Sequence, residues 1–136
     1  MTEPAARLPG VVGVGTDLVD VDRVRRALER RPGLRTRLFT ESEWAYATRH
    51  RDPHPHLAAR FAAKEAVMKA LGRGMSSMGF AEIEVVRDDS GAPSVELHGA
   101  AAQLGAAAGV SRWHLSLTHT DALAHAVAVA VGGAAT

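Results

Sequence analysis

The sequence predicts a single domain of the α+β class. Its 136 residues match the size of one domain, and 46% of them are hydrophobic and 23% charged, as is typical of a chain that folds around a core. A strand and three helical patterns come first, and two pairs of alternating segments with a short helix between them follow. We find no internal repeat and no interdomain linker in this order of elements.

The first strand and helix follow a short arm. Residues 1–9 mix polar residues, alanine and two prolines without periodicity, so we expect a flexible N-terminal arm before a domain that spans residues 10–132. The β-branched residues within 11–14 predict a strand. The chain then switches at Asp17 to apolar residues spaced three or four apart, which predicts a helix containing Leu18, Val21, Val24 and Leu28.

Two further helices are predicted in the first half. Pro32-Gly33 ends the first helix, and Thr40 followed by Glu43 is a capping-box signature for the second. The third helix is predicted over residues 56–71, the longest helical pattern in the chain, which contains neither Gly nor Pro and ends at Gly72.

Strands dominate the second half. Residues 81–86 and 94–98 predict a hairpin, and residues 100–108 predict a short alanine-rich helix. Residues 113–118 and 124–131 predict a final pair of strands. Alanine and valine alternate in the last segment, so valine lies on one face of the strand and alanine on the other, which is compatible with burial at an interface.

Composition excludes several kinds of protein. The chain has no cysteine, which rules out disulfides and thiolate zinc sites. Its net charge of +1 gives no general attraction to nucleic acid. The start lacks a basic region followed by an apolar stretch, and no segment is long and apolar enough to span a membrane, so we expect a cytoplasmic protein.

The helix over residues 56–71 carries the most distinctive chemistry. Lys64 interrupts an apolar stripe, and Glu65 flanks that stripe. A buried charge is costly without a partner, so both residues need partners that the local sequence does not supply. In the alternative interpretation, Lys64 extends past the stripe to solvent and Glu65 pairs with Lys69 one turn later. Asp17 likewise has an alternative as the N-cap of the first helix.

Four motifs together resemble the holo-acyl-carrier-protein synthases, a family of 4'-phosphopantetheinyl transferases. The order and spacing of the motifs agree with that family from about residue 11 to residue 131. The motifs are Val12-Gly-Val-Gly-Thr-Asp17, Phe39-Thr-Glu-Ser-Glu43, Arg60-Phe-Ala-Ala-Lys-Glu-Ala-Val-Met-Lys-Ala-Leu-Gly72 and Ser116-Leu-Thr-His119.

The resemblance implies an activity and an assembly. The family transfers the phosphopantetheine arm of coenzyme A to a serine of an apo acyl carrier protein and releases adenosine 3',5'-bisphosphate, with Mg²⁺ as cofactor. It also implies the phosphopantetheinyl transferase-like fold, assembled as a homotrimer with coenzyme A bound between subunits. Attack at a phosphorus surrounded by oxyanions needs positioning and charge neutralisation, which suits acidic and basic side chains around a metal.

The resemblance also assigns residues. It makes Asp17 and Glu65 the Mg²⁺ ligands, and Glu65 and Lys69 the catalytic residues. Either Glu65 or a metal-bound water accepts the serine proton. The predicted contacts with coenzyme A are Arg60, Lys64, Lys69 and His119.

Two other groups of side chains have competing interpretations. Arg23, Arg26 and Arg30 share a face of the first helix, and the resemblance implies that Arg23 and Arg26 dock the acidic helix of the carrier protein. The alternative is an ordinary solvated basic face. A second group, His50, His54 and His56, has a spacing compatible with zinc, but we expect these to be loop residues without a metal.

Two functions from other classes remain open at this stage. A carrier-protein-binding module without catalysis would keep the basic face and would not need the carboxylates. A different Mg²⁺-dependent phosphohydrolase would need the carboxylates and not the basic face.

Overall fold

The structure, a computed structural model, describes residues 10–72 and 78–133, so the predicted N-terminal arm and most of the segment after Gly72 lie outside the described residues. In the described residues, no helix is long and apolar enough to cross a bilayer. The elements are β1 (Val11–Asp20), α1 (Val21–Arg30), α2 (Leu34–Leu38), α3 (Glu41–Thr48), α4 (His54–Leu71), β2 (Ile83–Arg87), β3 (Pro93–Leu97), α5 (Gly99–Ala107), β4 (Val110–His119) and β5 (Leu123–Gly132).

Two antiparallel sheets confirm the α+β class. Strands β1, β5 and β4 form a three-stranded sheet in that order, and β2 and β3 form the predicted hairpin. The final strand pair was predicted, whereas the pairing of β1 with β5 was not, because the two strands lie at opposite ends of the sequence. A short 3₁₀ turn, Phe80–Glu82, leads into β2.

Helix α4 packs against one face of the three-stranded sheet at very short range. A Cβ atom on Gly15 would lie 1.8 Å from the carbonyl oxygen of Ala66, and one on Gly13 would lie 2.0 Å from that of Ala70. Only glycine allows this approach, because the neighbouring atoms are backbone and cannot move aside. The residues of β5 that face α4 are also small, and all four are fully buried, namely Ala124, Ala126, Ala128 and Ala130.

The boundary between β1 and α1 differs from the prediction. The strand continues through Asp17 and ends at Asp20, whose carboxylate caps α1 by accepting hydrogen bonds from the backbone N–H of Asp22 at 2.9 Å and of Arg23 at 3.3 Å. Pairing with β5 keeps the chain extended across the predicted switch. The prediction that the helix begins at Asp17 is therefore wrong, and so is the alternative that Asp17 is an N-cap.

The remaining helices follow the sequence signals with two differences. The capping box of Thr40 and Glu43 is present, and Gly72 ends α4 in the left-handed conformation with φ of 68°. Helix α4 begins at His54, two residues before the predicted start, with Pro55 in its first turn. The five-residue helix α2 was not predicted.

Lys64 is fully buried and forms an ion pair with Glu43. Its ammonium donates to Glu43 Oε1 at 2.8 Å, to the Phe80 carbonyl at 3.0 Å and to the Ile83 carbonyl at 2.5 Å. Glu43 also accepts from the backbone N–H of Val85 at 2.7 Å. The sequence correctly indicated that Lys64 needs strong partners. Both predicted environments for its ammonium, solvent and a substrate phosphate, are wrong.

Replacing Lys64 with Met should destabilise the protein strongly, because it leaves the Glu43 carboxylate buried without its cation. We expect a loss of about 3–5 kcal/mol in the free energy of unfolding, measured by urea denaturation. The matched control is Lys69→Met, which removes the half-exposed lysine of the same helix and should cost less than about 1 kcal/mol. Equal losses in the two variants would contradict this account of Lys64.

Candidate active site

A cleft of about 580 Å³ opens where the end of β1 meets α1, α2 and α4. Its polar side chains include Asp17 from β1, Glu65 and Lys69 from α4, and Arg23 from α1. Its apolar wall includes Leu18, Val24, Ala27, Leu34, Leu38, Phe61 and Phe80. The structure thus brings the two predicted metal ligands, one predicted catalytic lysine and one predicted docking arginine to a single concave surface.

Asp17 and Glu65 influence each other electrostatically. Burial, and next the negative charge of Asp17, raise the pKa of the Glu65 carboxyl above its usual range, while the Lys69 ammonium opposes this shift. Lys69 donates to Asp17 Oδ1 at 3.1 Å and to the Thr16 carbonyl at 2.9 Å. Because Lys69 pairs with Asp17, the alternative ion pair between Glu65 and Lys69 is absent from the ion pairs of the described residues.

The donors of the cleft fit a magnesium ion. Asp17 and Glu65 supply two carboxylates, and the charge of Asp17 is, after burial, the second cause of the raised pKa of Glu65. Within residues 10–72 and 78–133, no group of three or more acidic or imidazole side chains is arranged to hold a metal by itself. Mg²⁺ is usually bound by one or two carboxylates, with substrate phosphate oxygens and waters completing its shell.

The basic face of α1 borders this cleft. Arg23 is exposed and lines the opening, and Arg26 is exposed one turn further along the helix. Arg26 pairs with Asp22 at 3.1 Å, an ion pair in which both side chains are mostly exposed. Such a pair contributes little to stability, so Arg26 can exchange it for an acidic group on a partner.

Arg60 and His119 lie in a second cluster outside the cleft. His119 is exposed at the end of β4, and strand β5 separates β4 from the β1 strand that carries Asp17. Arg60 is only 3% exposed and its Nε has no hydrogen-bond partner in the structure. Its guanidinium lies 4.2 Å from the centre of the Tyr46 ring. Within one chain, these two predicted coenzyme A contacts therefore do not meet Asp17 and Glu65.

Histidine side chains join the second cluster. The rings of His50 and His56 stack with centroids 3.6 Å apart, and His56 meets His119 edge to face at 4.9 Å. His54 and His56 both lie within α4, so the expectation that they are loop residues is wrong, whereas His50 lies in the loop after α3. The His54 ring bonds to Asp52, with Nδ1 3.0 Å from Oδ1.

Sequence reasoning missed three residues of these sites. Glu43 was recognised as a helix cap and as part of a family motif, but not as the partner of Lys64. Tyr46 receives a hydrogen bond of 2.7 Å from Arg87 and lies beside Arg60. Tyr46 is the only tyrosine of the sequence, a signal that could have drawn attention to it. Arg87 directly follows the predicted strand 81–86, and no pattern in the sequence indicated a role for it.

Comparison with known proteins agrees with the motifs. A family model described as the 4'-phosphopantetheinyl transferase superfamily matches residues 13–130. The holo-[acyl-carrier-protein] synthase of Clavibacter sepedonicus is 49% identical over 120 residues, which cover 88% of this chain and 95% of that protein.

Solved structures agree with the fold. The acyl carrier protein synthase of Mycobacterium tuberculosis is 38% identical with a TM-score of 0.71, covering 91% of this chain and all 100% of that one. A holo-(acyl-carrier-protein) synthase of Bacillus anthracis str. Ames, solved in complex with CoA (3',5'-ADP), is 30% identical with a TM-score of 0.73. That match covers 90% of this chain and 98% of that one.

The histidine cluster should make the stability of the protein depend on pH. Burial, and next the neighbouring His50, His119, Arg60 and Arg87, lower the pKa of His56 from 6.5 to about 4. The unfolded chain therefore binds a proton at this side chain before the folded chain does, so stability should fall as the pH drops from about 6.5 to about 4. Thermal melts across this window should show a shallower fall for His56→Phe than for the native protein.

The control for this pH effect is His54→Phe, which removes a histidine from the same turn of α4 outside the cluster. It should keep the native slope. A native slope in His56→Phe would show that His56 is not the responsible group.

Proposed function

The chain belongs to the holo-acyl-carrier-protein synthase family of the 4'-phosphopantetheinyl transferase superfamily, and it is an enzyme of that family. We propose that it transfers the 4'-phosphopantetheine group of coenzyme A to a serine of an apo acyl carrier protein and releases adenosine 3',5'-bisphosphate. The observation that carries this proposal is the convergence of Asp17, Glu65 and Lys69 on one cleft beside the basic face of α1.

Mg²⁺ is the proposed cofactor, held by Asp17 and Glu65. When bound, it neutralises charge on the pyrophosphate of coenzyme A and on the oxyanions of the reacting phosphorus. Burial, and next the charge of Asp17, raise the pKa of Glu65, and this supports the role because a partly buried carboxylate beside a second one gains from a shared cation. A proton on Glu65 competes with the metal, so activity should decline as the pH falls.

The side chains of the cleft then have separate tasks. Lys69 is 55% exposed and is held only by Asp17 and one carbonyl, so its ammonium can turn to a phosphate of the bound substrate. Glu65, half-buried in the cleft, can accept the proton of the attacking serine, directly or through a water. No covalent enzyme intermediate is needed, because positioning and charge neutralisation carry most of the catalysis of phosphoryl transfer.

Arg60 and His119 are proposed to contact coenzyme A from another subunit. Each lies outside the cleft of its own chain, His119 exposed and Arg60 behind it with a hydrogen bond of 3.3 Å to the His56 carbonyl. A homotrimer that binds coenzyme A between subunits would bring the second cluster of one chain to the cleft of the next. The solved relative from Bacillus anthracis, in complex with CoA (3',5'-ADP), supports coenzyme A as the substrate.

The outer face of the three-stranded sheet supports an assembly. On the side away from α4, Val127 and Val129 of β5 remain only half-buried, and Val14 and Leu18 of β1 are 55% and 62% exposed. Monomeric proteins seldom leave a contiguous apolar face of this kind in water. The alternation of alanine and valine in β5 thus places the small residues under α4 and the valines on the face proposed to meet other subunits.

The carrier protein is proposed to dock on α1. Arg23 lines the cleft and Arg26 lies on the same exposed face, so an acidic helix bound there would bring its neighbouring serine to Glu65. Complementary charge of this kind speeds the encounter and fixes its orientation.

Removal of either carboxylate should abolish the transfer. We expect Asp17→Ala and Glu65→Ala to lower the rate by about 100-fold or more, with unchanged melting temperatures. The assay combines the protein with coenzyme A, Mg²⁺ and an apo carrier protein, and follows the mass of the carrier. The matched control is Glu96→Ala, an exposed carboxylate on β3, which should keep native activity.

Assays of the native protein distinguish the candidate functions. If it adds no phosphopantetheine to any carrier tested, the proposed function is wrong, and binding without a metal requirement would favour the docking module. Release of phosphate from nucleotides would favour the phosphohydrolase. If either alanine variant of Asp17 or Glu65 transfers at the native rate, the metal assignment is wrong.

A charge on the face of β5 that carries Val127 and Val129 should prevent assembly of the trimer. We expect Val129→Glu to lower the mass in sedimentation equilibrium from that of a trimer to that of a monomer, because burial of an unpaired carboxylate is costly. Transfer activity should fall with the mass. Gln103→Glu, on the exposed side of α5, adds the same charge elsewhere and should leave the trimer intact. A native protein that sediments as a monomer would contradict the assembly.

A further inference from the structure

The second cluster contains side chains that neither the motifs nor the proposed reaction explain. His56 lies between two other imidazole rings, stacked on His50 at 3.6 Å and meeting His119 at 4.9 Å with an interplanar angle of 69°. The ring of Tyr46 meets the edges of His50 and His56 at 5.0 Å and 5.9 Å. A continuous row of rings therefore runs from the end of α3, through the first turn of α4, to the end of β4.

The row is fixed at its inner end and free at its outer end. Nδ1 of His50 lies 3.1 Å from the Tyr46 carbonyl, which anchors that ring to α3. Tyr46 in turn accepts a hydrogen bond from Arg87 at 2.7 Å. His119 is exposed, and its ring nitrogens make no hydrogen bond with the residues that the structure describes. The outermost ring is thus held by its contact with His56 and keeps its nitrogens available to a ligand.

The charges around the row favour an anion. Arg60 and Arg87 both act electrostatically on His56, and both guanidinium groups lie over the Tyr46 ring, at 4.2 Å and 4.7 Å. The carboxylate that acts on Arg60 is Glu43, which is already bonded to Lys64. Positive charge at this corner therefore exceeds the negative charge that faces it.

We infer that His56, backed by His50, is a positioning residue that holds the His119 ring in the orientation that binds a phosphate of the adenosine bisphosphate part of coenzyme A. The inference rests on the proposed function, in which His119 contacts coenzyme A. A flexible surface imidazole must lose rotational freedom when it binds, and a ring already packed against another ring has lost most of it. His56 suits this task because it remains neutral near pH 7 and adds no cation beside Arg60.

A thermodynamic cycle tests whether His56 acts through His119. The probe is adenosine 3',5'-bisphosphate, and its Kd is measured by calorimetry with the full chain. An edge-to-face aromatic contact of ordinary strength predicts that His56→Ala weakens binding by about three- to tenfold. His56→Phe keeps a ring against His119 and should bind like the native protein. In a His119→Ala background, the same His56→Ala change should have no further effect.

Kinetics give an independent measurement. His56→Ala should raise KM for coenzyme A by a similar factor and leave kcat unchanged, because the contact serves binding equally in the ground state and the transition state. His54→Ala, in the same turn of α4 and outside the row of rings, is the matched control and should leave both constants unchanged. If His56→Ala does not fold, His56→Leu replaces it, with the same expected loss, since leucine fills the space without a ring.

The outcomes separate the inference from the function on which it rests. The inference is wrong if His56→Ala has the native Kd and KM. It is also wrong if His56→Ala weakens binding equally in the native protein and in the His119→Ala variant. Either result leaves the proposed function intact as long as the native enzyme is active. A native protein that neither binds the bisphosphate nor modifies a carrier would overturn the proposed function and the inference together.

Discussion

The arrangement of the cleft depends on the contact between α4 and β1, where a helix and a strand approach with no side chain between them. Gly13 and Gly15 meet the carbonyl groups of Ala70 and Ala66, so the helix cannot slide along the strand without a backbone collision. Asp17 follows two residues after Gly15 on the same face of β1, and Glu65 precedes Ala66 on α4. The two carboxylates therefore reach one cleft because of packing that involves neither of them.

A second constraint fixes the rotation of α4 about its axis. Successive residues of a helix point about 100° apart, so Lys64 and Glu65 face different surroundings. The Lys64 ammonium is held by Glu43 and by the carbonyls of Phe80 and Ile83, which come from two separate parts of the chain. While these bonds hold, Glu65 must face the cleft. Rotation of the helix away from this orientation would leave both charges buried and unpaired, which is costly.

The sequence predicted features whose causes are local. The capping box at Thr40, the αL end at Gly72 and the alternation of alanine and valine in β5 each follow from spacing along a few residues, and all three were predicted. The end of β1 was placed wrongly because the partner that keeps Asp17 extended lies more than a hundred residues away. Glu43 could not be identified as the partner of Lys64 either, because the two residues lie on different helices, 21 positions apart, and only the packing of α3 against α4 brings them together. The family motifs predicted that Asp17 and Glu65 lie together, and the structure places both in one cleft. The distance of His119 from them could be seen only once the order of the strands was known.

The burial of Lys64 also changes the surface chemistry of the molecule. The sequence contains two lysines, both on α4, and one of them is sealed inside the core. Lys69 is consequently the only lysine whose amine is open to solvent, and it stands in the cleft beside Asp17. Basic character elsewhere on the surface comes from arginine, which amine-selective reagents do not modify. A reagent that acylates amines thus has one side-chain target in this protein, and the rate at which that target reacts reports directly on whether the cleft is filled.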